Sequence, residues 1–217
     1  MSIRILLADD HKIIYESLEP LLDKQPGMEV VATAENGRKA VQMIQKLKPD
    51  VVIIDISMPD LNGIDATHQI IAQHPETKVI VLSMHADRRY VTAIFNAGAS
   101  GYLTKNCSFN ELVSAIQIVA ANKKYLSPEI SGSVIKEYIS PSPTSDSSVF
   151  SILTMREREV LQLLVEGNTV KQIADHLHLS IQTVHAHRQK IMEKLNIYNI
   201  AELTKYAIRE GLISLES

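Results

Sequence analysis

The sequence predicts two domains: a five-stranded parallel (βα)5 doubly wound α/β domain, then a small all-α domain of four helices built on a helix-turn-helix. Three observations predict this. Five short apolar runs alternate with helical stretches through the first 122 residues. Two of those runs end in carboxylates, Asp9-Asp10 and Asp55. After a Ser/Pro-rich stretch, Ser140 to Ser148, no strand signal remains.

The strands are expected near 3–8, 28–34, 50–55, 78–83 and 100–104. Val51-Val52-Ile53-Ile54 is apolar throughout, as a strand buried on both faces of a parallel sheet must be. Helices are expected near 12–25, 37–47, 63–74, 87–97 and 109–121. Ser108-Phe-Asn-Glu111 reads as a capping box opening the fifth helix. Gly98 stands where the fourth helix wants a left-handed C-cap. Pro20 falls inside the first helical pattern and predicts a kink or an early stop, because an interior proline costs about 3 kcal/mol. Beyond residue 150 four short helices follow. Thr154-Met-Arg-Glu157 is a capping box opening the first, which ends near Gly167. The second covers about 169–177, the third about 181–195 behind a Ser180 cap, and the last runs from about Asn199 to Glu210. The resulting division is residues 1–126, a linker over 127–150, and residues 151–217.

Bulk properties exclude several classes. With 22 basic and 25 acidic residues and 45% hydrophobic residues, the chain has an ordinary globular composition. No window approaches about 18 consecutive apolar residues, so no membrane partner is expected. The first residues run straight into a strand, which argues against a signal peptide. A single cysteine, Cys107, rules out an internal disulfide and fits a reducing cytoplasm.

In a five-stranded parallel sheet the carboxyl ends of the strands fall on one edge, where open α/β sheets bind ligands. That edge gathers Asp9, Asp10, Asp55, Ser83 and Lys105, with Tyr102 three residues before the lysine. Their chemistry fits phosphoryl transfer. Asp55 can accept a phosphoryl group. Asp10 and Asp55, with a backbone carbonyl of the turn at Ser57, suit Mg2+. Lys105 supplies positive charge to phosphoryl oxygens and Ser83 a hydrogen-bond donor. A haloacid-dehalogenase-type phosphatase would need a second aspartate two residues after Asp55, where Ser57 stands.

Leu7-Ala-Asp-Asp-His11, Asp55-Ile-Ser-Met-Pro-Asp60, Asn62-Gly63, Ser83 and Gly101-Tyr-Leu-Thr-Lys105 resemble the receiver domain of two-component response regulators. The resemblance implies that a sensor histidine kinase phosphorylates Asp55 and that Asp9 and Asp10 help hold Mg2+. It also implies that Ser83 and Tyr102 change position on phosphorylation and that Lys105 contacts the phosphoryl group. In that switch Ser83 moves toward the phosphoryl oxygens and Tyr102 rotates inward.

In the last 67 residues a short helix, a tight turn and a polar-basic helix form a helix-turn-helix, whose second helix can enter a major groove. The candidate contacts to double-stranded DNA are Thr183, His185, His187, Arg188, Gln189 and Lys194. Residues 151–217 hold eight basic and eight acidic side chains, so weak binding by one domain, offset by dimerisation, is expected. By periodicity alone, the same helix face fits solvent as well as DNA; a further reading, behind DNA binding, is an adaptor whose helical domain binds protein. His176/His178 and His185/His187 are spaced two apart and cannot converge on a metal from one helix.

Leu153-Thr-Met-Arg-Glu-Arg-Glu-Val-Leu161, Gly167, Ile173-Ala174, Leu177, Ser180, Thr183-Val184, His187 and Lys194-Leu195 resemble the LuxR-type helix-turn-helix. Together the halves are similar to the NarL/FixJ group of transcriptional regulators. The resemblance implies a homodimer, with the last helix as its interface, and a receiver that masks the recognition helix until phosphorylated. Three residues depart from the pattern: His185 for a common lysine, Val170 for an asparagine and Ile200 for an arginine.

Overall fold

The structure, a computed structural model, describes residues 2–84, 88–132 and 148–213. Most of the Ser/Pro-rich stretch, residues 140–147, lies outside the described residues. The first domain alternates β1 (Ile3–Ala8), α1 (Lys12–Leu22), β2 (Met28–Ala34), α2 (Gly37–Leu47), β3 (Val51–Ile54), α3 (Gly63–Gln73), β4 (Lys78–Ser83), α4 (Arg88–Asn96), β5 (Gly101–Thr104) and α5 (Phe109–Ala120). The sheet is parallel in the order β2-β1-β3-β4-β5, and a two-residue sixth strand, β6 (Tyr125–Leu126), extends it beyond β5. The second domain contains α6 (Val149–Ile152), α7 (Met155–Val165), α8 (Val170–His176), α9 (Ile181–Leu195) and α10 (Ile200–Arg209).

Strand periodicity builds the first core. Leu6, Val52, Ile54, Val79 and Val81 pack on one face, and Ile5, Leu7, Val51, Ile53, Ile80 and Leu82 on the other. Each fully buried aliphatic side chain stabilises the fold by about 1.5–3 kcal/mol, which explains runs without polar alternation. A separate cluster, including Val160, Leu161, Ile173, Val184, Ile191 and Leu203, forms the helical core.

Three local expectations change. The first helix stops early, as Pro20 predicts, but passes through the proline first and ends at Leu22, short of residue 25. Pro20 lies in the last turn, so its missing N–H costs one bond near a terminus instead of breaking the ladder. Only half of the expected box opens α5: Ser108 accepts from the Glu111 N–H, but the Glu111 carboxylate takes hydrogen bonds from Tyr125 and Ser127 instead. Those bonds fasten β6 to α5. The third change is β6 itself. The segment behind it packs back on the sheet as a helical turn at 128–132, burying Ile130 in the first domain's core.

Glycine is required at the close approach of α3 to β3. A Cβ on Gly63 would lie 1.9 Å from the carbonyl oxygen of Asp55. Gly98, Gly167 and Gly211 take left-handed backbone after their helices, as the capping pattern requires.

Candidate functional site

The parallel ladder brings the acidic residues together. Ala8 pairs with Ile54 in register, and the next residues, Asp9 and Asp55, sit side by side at the carboxyl edge. The Asp55 N–H donates to the Ala8 carbonyl at 2.9 Å, so the hydrogen-bond pattern continues into the site. Ser83 pairs with Thr104, and the Lys105 N–H donates to the Ser83 carbonyl at 2.9 Å. The lysine therefore leaves β5 toward the same edge.

The Lys105 ammonium bridges the carboxylates, 2.8 Å from Asp9 Oδ2 and 3.0 Å from Asp55 Oδ2. Asp9, Asp55 and Lys105 are all largely buried. Burial pushes the Asp55 carboxyl up from its ordinary value; Lys105 partly offsets this and Asp9 reinforces it. For Lys105, burial works to lower the pKa, but Asp55 and Asp9 outweigh it and the amine is held above its ordinary value. The site is thus a cation-bridged carboxylate pair, poised to exchange one negative partner for another.

Asp10 completes the acidic cluster. Ligand atoms of Asp9, Asp10, His11 and Asp55 lie within 4.8 Å of one another. No hydrogen bond is made to Asp10 Oδ1, which is buried with His11 Nδ1 2.9 Å away. A buried carboxylate oxygen whose near neighbour is only the His11 ring, beside two more carboxylates, fits a hard divalent cation. Ser57 lies two residues beyond Asp55 in the same turn.

Ser83 and Tyr102 are both fully buried. The Tyr102 ring already lies inside the fold. Its strand neighbour is Leu126 of β6, and Ile130 shares its core cluster. Ile130 belongs to the 127–150 segment assigned to the linker, in the helical turn that follows β6. The lone thiol has no place in this chemistry: burial, then Glu111, pushes Cys107 up to about 11.

In the helical domain Ser180 caps α9 by accepting from the Thr183 N–H. His178 takes left-handed backbone, φ +53°, in the turn between α8 and α9. Val184 and Ile191 face the core, leaving Gln182, His185, Ala186, Gln189 and Lys190 on the exposed stripe. Of the sequence candidates, His185 and Gln189 lie on this stripe, while Thr183, His187 and Arg188 flank it half-buried. Lys194 reaches Glu157 of α7 at 2.7 Å, so its charge is already paired within the domain. Lys190 is an exposed cation that the sequence reasoning passed over.

The largest set of residues missed by sequence joins the two domains. Arg158 of α7 forms a buried bidentate pair with Asp65 of α3. The Gln162 amide, fully buried, accepts from Asn62 N and Nδ2 at 3.0 and 3.1 Å and donates to the Met58 carbonyl at 2.9 Å. Glu166 accepts from the Asp60 N–H at 3.1 Å, and His176 Nε2 lies 2.6 Å from Asp60 Oδ1. Further along the contact, Arg89 pairs with Glu210, and Tyr90 packs edge-on to Phe150 and over Gly211. The receiver was expected to cover the recognition helix. Among the described residues the contact instead falls on α7, the C-terminal end of α8, and the chain around Phe150 and Glu210.

Fold and site together define a signalling regulator: an α/β receiver joined to a helix-turn-helix output domain. Residues 5–117 match the response regulator receiver domain, and residues 151–207 match the bacterial regulatory proteins of the luxR family. The transcriptional regulatory protein DegU of Brevibacillus brevis is 35% identical over 98% of this chain and 96% of its own length. The oxygen regulatory protein NreC of Staphylococcus epidermidis is 38% identical over 97% and 99%. The structure of RcsB from Salmonella enterica serovar Typhimurium, bound to promoter rprA in the presence of phosphomimetic BeF3−, has a TM-score of 0.63 at 27% identity, covering 95% of this chain and 98% of that one. The chain belongs to the NarL/FixJ-type two-component response regulators, and is a transcription regulator with a receiver and a LuxR-type DNA-binding domain.

Proposed function

We propose that Asp55 is the phosphoacceptor and that its charge state governs DNA binding by α9. The observation that carries this reading is the Lys105 ammonium held between Asp9 and Asp55. A carboxylate oxygen of Asp55 attacks phosphorus, and the bond from phosphorus to the donor, a histidine nitrogen of a sensor kinase, breaks. The donor departs with the electron pair of that bond. Lys105 then balances charge on the phosphoryl oxygens, and the Ser83 hydroxyl donates to one of them. Asp9, Asp10, Asp55 and the Ser57 carbonyl would hold Mg2+. When bound, the ion neutralises negative charge shared by acceptor and phosphoryl group.

The output is contact with double-stranded promoter DNA. His185 and Gln189 face the major groove, and Thr183, His187 and Arg188 border it. Lys194 acts through Glu157 in the domain's own packing. Binding of the similar RcsB to a promoter with a phosphomimetic present supports this coupling. A formally neutral DNA-binding domain gains affinity by pairing, so the active form is a homodimer working in the cytoplasm.

The test is phosphorylation of the full chain with acetyl phosphate and Mg2+. Asp55→Asn is expected to lose nearly all incorporation. Full incorporation into that variant would overturn the assignment.

A further inference from the structure

The turn after Asp55 is tied down from two sides. Within the receiver, the Met58 and Gly63 N–H groups both donate to the Ile56 carbonyl, at 3.1 and 2.8 Å. Ile56 N donates to Asp55 Oδ1 at 2.8 Å, linking the turn to the acceptor carboxylate. Ile56, Met58 and Leu61 bury their side chains, so the turn is packed from below. From the other domain, α7 and its C-cap residue Glu166 make hydrogen bonds to three backbone groups of the same turn: Met58 O and Asn62 N to Gln162, and Asp60 N to Glu166. A further bond from Gln162 Nε2 to Glu166 Oε1, 2.9 Å, joins the two side chains. Asp60 takes a left-handed conformation, φ +69°, so the turn is held in a shape few residues adopt freely.

We infer that Gln162 and Glu166 are positioning residues for phosphoryl transfer: from the DNA-binding half, they hold residues 58–62 in the arrangement of the unphosphorylated site and slow phosphoryl gain at Asp55. The sign follows from space and linkage. Asp55 is 5% exposed and its Oδ1 is already bonded to Ile56 N. Three added oxygens need room beside the Asp55–Ile56 bond that anchors the turn, and a clasp fitted to residues 58–62 as they now stand resists that rearrangement. A clasp that disfavours the phosphorylated arrangement must, by reciprocity, be weakened by phosphorylation. The helical domain is then a brake on its own input as well as the output. This inference rests on Asp55 being the acceptor.

The test uses the full chain, Mg2+ and acetyl phosphate, with phosphorylated fraction followed over time. Gln162→Ala is expected to be phosphorylated about tenfold faster, three uncharged hydrogen bonds to the turn being lost. The maximal rate should rise while the half-saturating acetyl phosphate concentration stays put, since neither residue touches the donor. Gln162→Glu sets a carboxylate oxygen against the Met58 carbonyl and the Glu166 carboxylate, so it should loosen the clasp at least as much as Gln162→Ala. Glu166→Ala, at the more exposed end of α7, should shift the rate the same way and covers the case where Gln162→Ala does not fold. Parent-like or slower rates in folded Gln162→Ala and Glu166→Ala would overturn the inference, provided that the parent is labelled and Asp55→Asn is not. An unlabelled parent, or a labelled Asp55→Asn, defeats the acceptor assignment and this inference with it.

Discussion

At the scale of single residues, Asp55 is defined by its neighbours. A strand-terminal aspartate is commonly only a turn or helix cap. What distinguishes this one is that Asp9 and Lys105 reach it from two other strands. The sequence makes this convergence legible because strand ends in a parallel sheet share an edge, so three apolar runs suffice to locate three side chains. It does not make Tyr102's position legible, because the cover over that ring comes from residues 125–130, a two-residue strand and a single helical turn too short to show a period. Gly63 offers a sharp test at this scale. Its missing side chain lets α3 start against the Asp55 carbonyl. Gly63→Ala forces backbone apart at a packed contact and should destabilise the receiver by about 1–3 kcal/mol. Urea unfolding of the full chain measures this, and an unchanged receiver transition would contradict it.

At the scale of elements, α7 is where sequence reasoning met its limit. The helix carries Val160, Leu161, Leu163 and Leu164 toward its own domain, while Glu157, Arg158, Glu159 and Gln162 look like a solvated face. All eight are buried. A polar stripe signals solvent only when no second surface covers it, and a sequence contains no direct sign of that surface. The N-terminal end of α7 was legible, because Thr154 and Glu157 form the full reciprocal capping box. Glu157 also receives Lys194 from α9. Burial by itself would raise the Glu157 carboxyl, but the bonds from Lys194 and Thr154 prevail and hold it below its ordinary 4.5. A carboxyl lowered by folding adds stability above its unfolded value, and that stability is lost as pH falls through the folded one. Thermal melts of parent and Glu157→Gln should therefore differ most near neutral pH and converge as pH falls from the ordinary 4.5 through the lowered folded value. A gap that stays constant through that range would refute the pairing.

At the scale of the whole molecule, the domains are joined through the acceptor turn. The buried Arg158–Asp65 pair and the saturated Gln162 amide make the contact specific: removing one partner strands a buried polar group, which costs more than an ordinary surface contact gains. Among the described residues the exposed stripe of α9 is left clear, so the contact acts elsewhere than on α9. It acts on the turn that follows Asp55. The most direct test is hydrogen exchange of the full chain with and without beryllofluoride and Mg2+. With the phosphoryl mimic bound, the amides of Asp60 and Asn62 should exchange faster, together with those of the α7 face that meets them. Bound beryllofluoride with unchanged protection at both places would contradict the coupling of Asp55 to the DNA-binding half.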